Sequence, residues 1–162
     1  QKNGQNASTT GTIYGIYDVS GGMWEPTTAY IANGHANLKH YGASIAYQGE
    51  TLKTASTKYT TVYPHNEVGE TDINKAAPKN FAANTRIYGD TVRETTSSIA
   101  GTTNTGWNTS SWDSDYSSFP ALSLPFFDRG GSTWNAPHTG RFAFAWHDGA
   151  QHYSVRFPTS SN

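Results

Sequence analysis

Asp128-Arg129-Gly130-Gly131-Ser132-Thr133-Trp134-Asn135-Ala136-Pro137-His138 leads to Gly140-Arg141-Phe142-Ala143-Phe144, then to Ala145-Trp146-His147-Asp148-Gly149-Ala150-Gln151-His152-Tyr153-Ser154 and a closing Val155-Arg156-Phe157. Glycines and regularly spaced phenylalanines supply a frame here, and Trp, His, Tyr, Ser and Pro fill the positions between. Arg141 to Phe144 and Val155 to Phe157 carry the period of two expected of strands. Asp148-Gly149 between them is a hairpin signal, because both residues tolerate positive φ. The pattern predicts Phe142, Phe144, Val155 and Phe157 facing inward. Ser132, Thr133, Trp134, Ala136, Pro137, His138, Ala145, Trp146, His147, Ala150, His152, Tyr153 and Ser154 are then expected to form a displayed binding surface. Aromatic rings suit that role, since they give large contact area for few frozen torsions and dominate interface hot spots. For Trp146 the alternation points inward while its place at the hairpin tip points outward. Which of Trp134 and Trp146 faces a partner stays open at this level.

Composition narrows the function classes. A chain of 162 residues is one domain of ordinary size, able to bury a real core. Charged residues are only 14 % of it, and 11 Lys plus Arg against 12 Asp plus Glu leave a net charge of −1. No clustered cations offer a phosphate-binding groove, so nucleic acid is an unexpected partner. No apolar stretch approaches the roughly 20 residues of a spanning helix, which argues against membrane insertion by this segment. Cysteine is absent, so no thiol nucleophile, redox pair or thiolate metal site exists, and the core must hold without disulfides. The opening at Gln1, without Met or signal segment, reads as an ectodomain separated from its targeting sequence.

Along the chain, residues 1–10 read as a flexible lead-in and 11–162 as one domain. Thr12 to Asp18 reads as a short strand or tight buried turn. Thr27 to Leu38 is the expected short helix, interrupted by Asn33-Gly34, and Glu70 to Asn84 reads as a loop with one helical turn. Thr95 to Ser118 is expected to be a long ordered loop pinned by Trp107 and Trp112. The sum is an α+β domain whose long loops carry function.

Two segments resemble a known family. Tyr14-Gly15-Ile16-Tyr17-Asp18-Val19-Ser20-Gly21-Gly22-Met23-Trp24-Glu25 is similar to the signature of formylglycine-generating proteins, and Arg129-Gly130-Gly131-Ser132 to their R-G-G-S segment. The likeness covers residues 11–25 and 126–157. It implies a C-type-lectin-like fold of the formylglycine-generating-enzyme subclass, loop-rich, with a short twisted β-sheet and few short helices. The reaction of that family needs a cysteine pair, and this chain has none, so the expectation is a binding domain and not an enzyme. The chain resembles more closely the variable proteins of diversity-generating retroelements, which frame diversified positions with R-G-G, G-x-F-x-F and G-F-R. Here Arg156-Phe157-Pro158 stands where G-F-R is expected. This resemblance implies a hypervariable recognition region over about residues 129–157. It also implies a protein or glycan ligand, and display at a bacterial surface or from a phage-encoded protein, with a pilus or surface anchor elsewhere. The alternatives are a residual sulfatase-modifying-factor-like enzyme and a structural pilus or fibre subunit.

The resemblance also implies a calcium site, because Asp18, Gly21, Met23 and Glu25 occupy the family's ligand positions. Carboxylates and glycine-turn carbonyls suit a hard cation; the competing reading has Asp18 and Glu25 capping backbone N–H groups. No cofactor is otherwise required. His138, His147 and His152 match no compact zinc spacing. Asp113, Asp115 and Glu94 are candidate hydrolytic carboxylates, against the commoner role of such residues in turns and caps.

Overall fold

A computed structural model describes residues 23–84, 92–99, 109–135 and 137–150. The strand or turn expected at Thr12 to Asp18, the ring of Trp107 and the closing Val155 to Phe157 lie outside them. The described residues form a mixed α+β unit around a four-stranded sheet of order β4-β1-β5-β6.

Strand β1 (Glu25–Ile31) occupies ground read from sequence as helix. Thr27, Thr28, Tyr30 and Ile31 are β-branched or aromatic and fit a pleated surface. Asn33 and Gly34, with Gly34 at φ 73°, turn the chain out of the strand. Helix α1 (Ala36–Ala46) starts only after them, and the His35 side chain accepts the Asn37 N–H as its cap. A hairpin of β2 (Tyr47–Gln48) and β3 (Thr51–Leu52) follows. Strand β4 (Thr61–Tyr63) then pairs parallel to β1, with Tyr30 opposite Val62.

Helix α2 (Ile73–Ala83) replaces the loop expected at Glu70 to Asn84. Asp72 caps it by accepting the Asn74 N–H at 2.9 Å. The helix tolerates Pro78 because Ala76, Ala77, Asn80 and Phe81 are buried against the sheet, so tertiary packing outweighs the lost backbone bond. A short α3 (Val92–Thr95) adds Val92 to the same core.

Strand β5 (Phe126–Arg129) runs antiparallel to β1, and β6 (Phe144–His147) antiparallel to β5. The strand expected from Arg141 begins only at Phe144, because residues 140–142 turn. Directly opposed residues share a face. Pro26, Tyr30, Phe126, Asp128, Ala145 and His147 therefore lie on one side, where Tyr30 and Phe126 pack with Leu38 and Ala46 of α1. Ile31, Tyr63, Phe127 and Phe144 lie on the other and pack with Ala76, Ala77 and Phe81 of α2. Tyr63, Phe119 and Phe127 meet there at centroid distances of 4.6–5.3 Å. Burying each such ring stabilises by about 2 kcal/mol.

Candidate functional site

The end of β5 delivers the chain to the surface. Gly130 and Gly131 sit at φ 87° and 74°. A Cβ on Gly131 would stand 3.0 Å from Thr139 Cγ2, so glycine is required for both reasons. A 3₁₀ turn at Thr133–Asn135 follows, and its Trp134 is 75 % exposed.

The segment after this turn, residues 138–144, is stitched to the loop 111–116. Asp115 Oδ2 accepts the Phe142 N–H at 2.9 Å. Ser111 Oγ donates to the Phe142 carbonyl at 3.1 Å. The Tyr116 N–H donates to His138 O at 2.8 Å, and the Phe144 N–H to Tyr116 O at 2.9 Å. The His138 ring meets the Ser114 carbonyl at 3.1 Å, a contact that places its proton on Nδ1. Gly140 lies so close to the Asp115 carboxylate that a side chain there would collide with both oxygens. Asp113 and Ser114 are both held at φ 60°, a conformation costing roughly 1–2 kcal/mol per residue that these bonds enforce. Burial pushes the Asp115 carboxyl above its ordinary range and Asp113 adds to this, while the Phe142 N–H, Arg141 and His138 pull it down.

The loop presents Trp112, 59 % exposed, with its ring edge-on to Phe142 at 5.4 Å. Trp112 was expected as an internal anchor and Phe142 as core. Trp112 instead forms surface and Phe142 is only half-buried, because the buried pins of this loop are polar: Ser111, Asp115, Ser117 and Ser118. Pro137 and Arg141 are exposed beside them, as is Thr133.

Other residues expected on the recognition surface divide by burial. Ser132, Ala145 and His147 are buried, Ala145 and His147 because they fall on the α1 side of β6, so none of the three is displayed. Trp146 is half-buried on the opposite side, and its Nε1 is buried with no hydrogen-bond partner among the described residues. His138 and Ala150 are half-buried. Ala136, His152, Tyr153 and Ser154 lie outside the described residues, as do Asp18 and Gly21 of the implied calcium set. Met23 and Glu25 are half-buried, Glu25 opposite Arg129 in the ladder. Among the described residues no group of three or more His, Cys, Asp or Glu side chains is disposed to hold a metal. The candidate hydrolytic carboxylates have different surroundings: Asp113 is exposed, Asp115 is buried on Phe142, and Glu94 is half-buried in α3.

Two features had no signal in the sequence. A cleft of about 520 Å³ opens at the carboxyl ends of the parallel pair β1 and β4, lined by His35, His65, Val68, Glu70, Leu122 and their neighbours. Its floor is the buried Glu67, whose Oε1 accepts from Asn33 Nδ2 and the Leu122 N–H, both at 2.7 Å. Oε2 accepts from Asn80 Nδ2 at 2.6 Å. The second feature is Asp128, 2 % exposed in the sheet. Burial, and secondarily the charge of Asp148, push its carboxyl up to about 7.

The chain matches no protein-family model, no curated protein and no solved structure. No helix among the described residues is long and apolar enough to cross a membrane.

Proposed function

We propose that this chain is a C-type-lectin-like domain, similar to the variable proteins of diversity-generating retroelements, that binds a protein or glycan ligand without covalent chemistry. The observation that carries the reading is two exposed rings on fixed loops, Trp112, which stands edge-on to Phe142, and Trp134, with Pro137 and Arg141 exposed in the segment that follows Trp134. Two tryptophans with more than half of their surface exposed stand on loops fixed by Asp115, Ser111 and paired glycines. Exposed aromatics on a rigid support bind with little ordering cost. Trp and Arg are also the residue types most enriched at hot spots. Residues 129–157 are the diversified region on this reading, with the buried members of β5 and β6 as its frame. Calcium at Asp18, Gly21, Met23 and Glu25, and display at a bacterial or phage-encoded surface, belong to the same proposal.

Two experiments test it. The coding DNA should lie near a reverse-transcriptase gene and a near-identical template of the 129–157 segment, differing at adenines. A locus lacking both removes the retroelement reading. Separately, a displayed library randomised at Trp112, Thr133, Trp134, Pro137 and Arg141 should stay folded and yield binders to hen lysozyme, an arbitrary protein target. A library that is mostly unfolded would show these side chains to be structural.

A further inference from the structure

We propose that the cleft floored by Glu67 binds a small hydroxylated amine, the chemistry of an amino sugar, with its ammonium against the Glu67 carboxylate. Strand β1 runs antiparallel to β5 with Glu25 opposite Arg129, so β5 leaves toward Trp134 at one end of the sheet and β1 leaves toward Asn33 at the other. The cleft is at the β1 exit, where the parallel β4 also ends. The inference therefore does not depend on the exposed tryptophans being a recognition surface. Glu67 lines the cleft yet is 4 % exposed, and its hydrogen-bond donors among the described residues are the neutral amides of Asn33, Leu122 and Asn80. A carboxylate offers about four acceptor sites, so Oε2, which takes only Asn80, keeps a place for a further donor. The ion-pair partner of Glu67 among the described residues is the His65 ring, with Nδ1 at 3.8 Å from Oε1. That nitrogen accepts the Glu67 N–H at 3.5 Å and so carries no proton. A buried anion met only by neutral groups is costly, and a cation in the cleft offsets the cost.

Glu70, the other acid lining the cleft, is already matched. Its Oε2 accepts from Lys79 Nζ at 2.9 Å, and its Oε1 accepts the Thr71 and Asp72 N–H groups. Among the described residues the lining thus carries a single unmatched negative charge, that of Glu67. The rest of the lining calls for oxygen atoms. His35 Nδ1 accepts the Asn37 N–H at 3.2 Å, and His65 Nδ1 is occupied in the same way, so each ring has an Nε2–H to donate. Hydroxyl oxygens accept such donors, and a simple polyamine has none. Val68, 84 % exposed, and Leu122 supply apolar contact for a carbon ring. Leu122 is held at φ 52° while its N–H reaches Glu67. A bulky side chain in that left-handed region is strained, and residues of this kind gather at ligand clamps. The cleft volume of about 520 Å³ falls within the roughly 300–1,000 Å³ of small-molecule sites.

NMR titration of the full chain at neutral pH with glucosamine, N-acetylglucosamine and glucose tests the proposal. Glucosamine should bind saturably, shift the backbone amide of Leu122, and bind at least tenfold more tightly than the two neutral sugars. Glu67→Gln removes the charge and should weaken glucosamine binding at least tenfold. His65→Ala, at an exposed position, should weaken it without unfolding the domain, and Trp134→Ala should leave it unchanged. Absence of saturable glucosamine binding at millimolar concentration overturns the site. So does equal affinity for the three sugars, or binding that Trp134→Ala removes and His65→Ala leaves intact. Should Glu67→Gln fail to fold, the contrast between glucosamine and N-acetylglucosamine on the native chain decides the charge, and His65→Ala decides the location.

Discussion

Gly140 and Asp115 share a space that admits a carboxylate and a bare Cα but nothing more. Gly140→Ala should therefore displace Asp115, break its bond to the Phe142 N–H and cost about 2 kcal/mol in urea denaturation. Asp115→Ala strands the same N–H and should cost a similar amount. The double variant should fall well short of the sum, because both changes remove one contact. The exposed rings behave differently. Trp134→Ala should change stability by less than about 0.5 kcal/mol, as expected of surface positions. Phe144→Ala, fully buried among Phe127 and Ala77, should cost about 4 kcal/mol in the same assay. The contrast separates residues that present chemistry from those that hold the sheet, and a destabilised Trp134→Ala would assign that ring to the core.

At the scale of elements, the loop-to-helix connections are organised around Glu67. It ties β1's exit through Asn33, α2 through Asn80, and the 120–125 segment through Leu122. Asn80 extends the hub by donating to Pro120 O at 3.1 Å and accepting the Asn66 N–H at 2.8 Å. Glu67→Ala leaves several buried donors unanswered and should cost about 3 kcal/mol. Glu67→Gln must point an amide NH₂ at one of those donors and should lie between Ala and the native residue. Backbone amide exchange at Leu122 reports the effect locally. None of this hub could be read from sequence, since Glu and Asn are ordinarily assigned to the surface. Helix α2 was hidden for a related reason: Pro78, Asn74, Lys75 and Asn80 mask its apolar face. Thr27 to Ile31 misled because an apolar-polar mixture of that length fits either period, and only pairing on both sides makes it a strand. The Gly130–Gly131 and Phe144 positions were legible, because paired glycines suit positive φ and Phe144 follows the alternation of the pleat. In the candidate site Trp134 was readable as polar-flanked and displayed, whereas Trp112 required knowing that serines and Asp115 carry the buried contacts.

Among the described residues, one carboxyl gives the whole molecule a strong pH dependence. The Asp128 carboxyl is raised from 3.8 to about 7 in the folded chain. The folded state thus holds a proton that the unfolded chain has lost, at every pH between those values. Stability is fully retained below about pH 4 as far as this group is concerned, and is lost progressively as pH rises to 7. At roughly 1.4 kcal/mol per pH unit, the loss amounts to about 4 kcal/mol. Urea denaturation in calcium-free buffer from pH 5 to 8 should show this fall, and Asp128→Asn should flatten it. An unchanged slope in the variant would assign the dependence to another group.

The pairing of β1 with β5 also sets the order in which the chain can fold. Thr27 Oγ1 reaches the Phe127 carbonyl across 100 residues of sequence, and β1 otherwise has only the three-residue β4 beside it. The sheet cannot assemble until its distant partner has emerged, and such non-local closure is slow. During synthesis, β1, α1 and α2 must wait with their apolar sides uncovered, so a nascent chain ending before Phe126 is the form most in need of a chaperone.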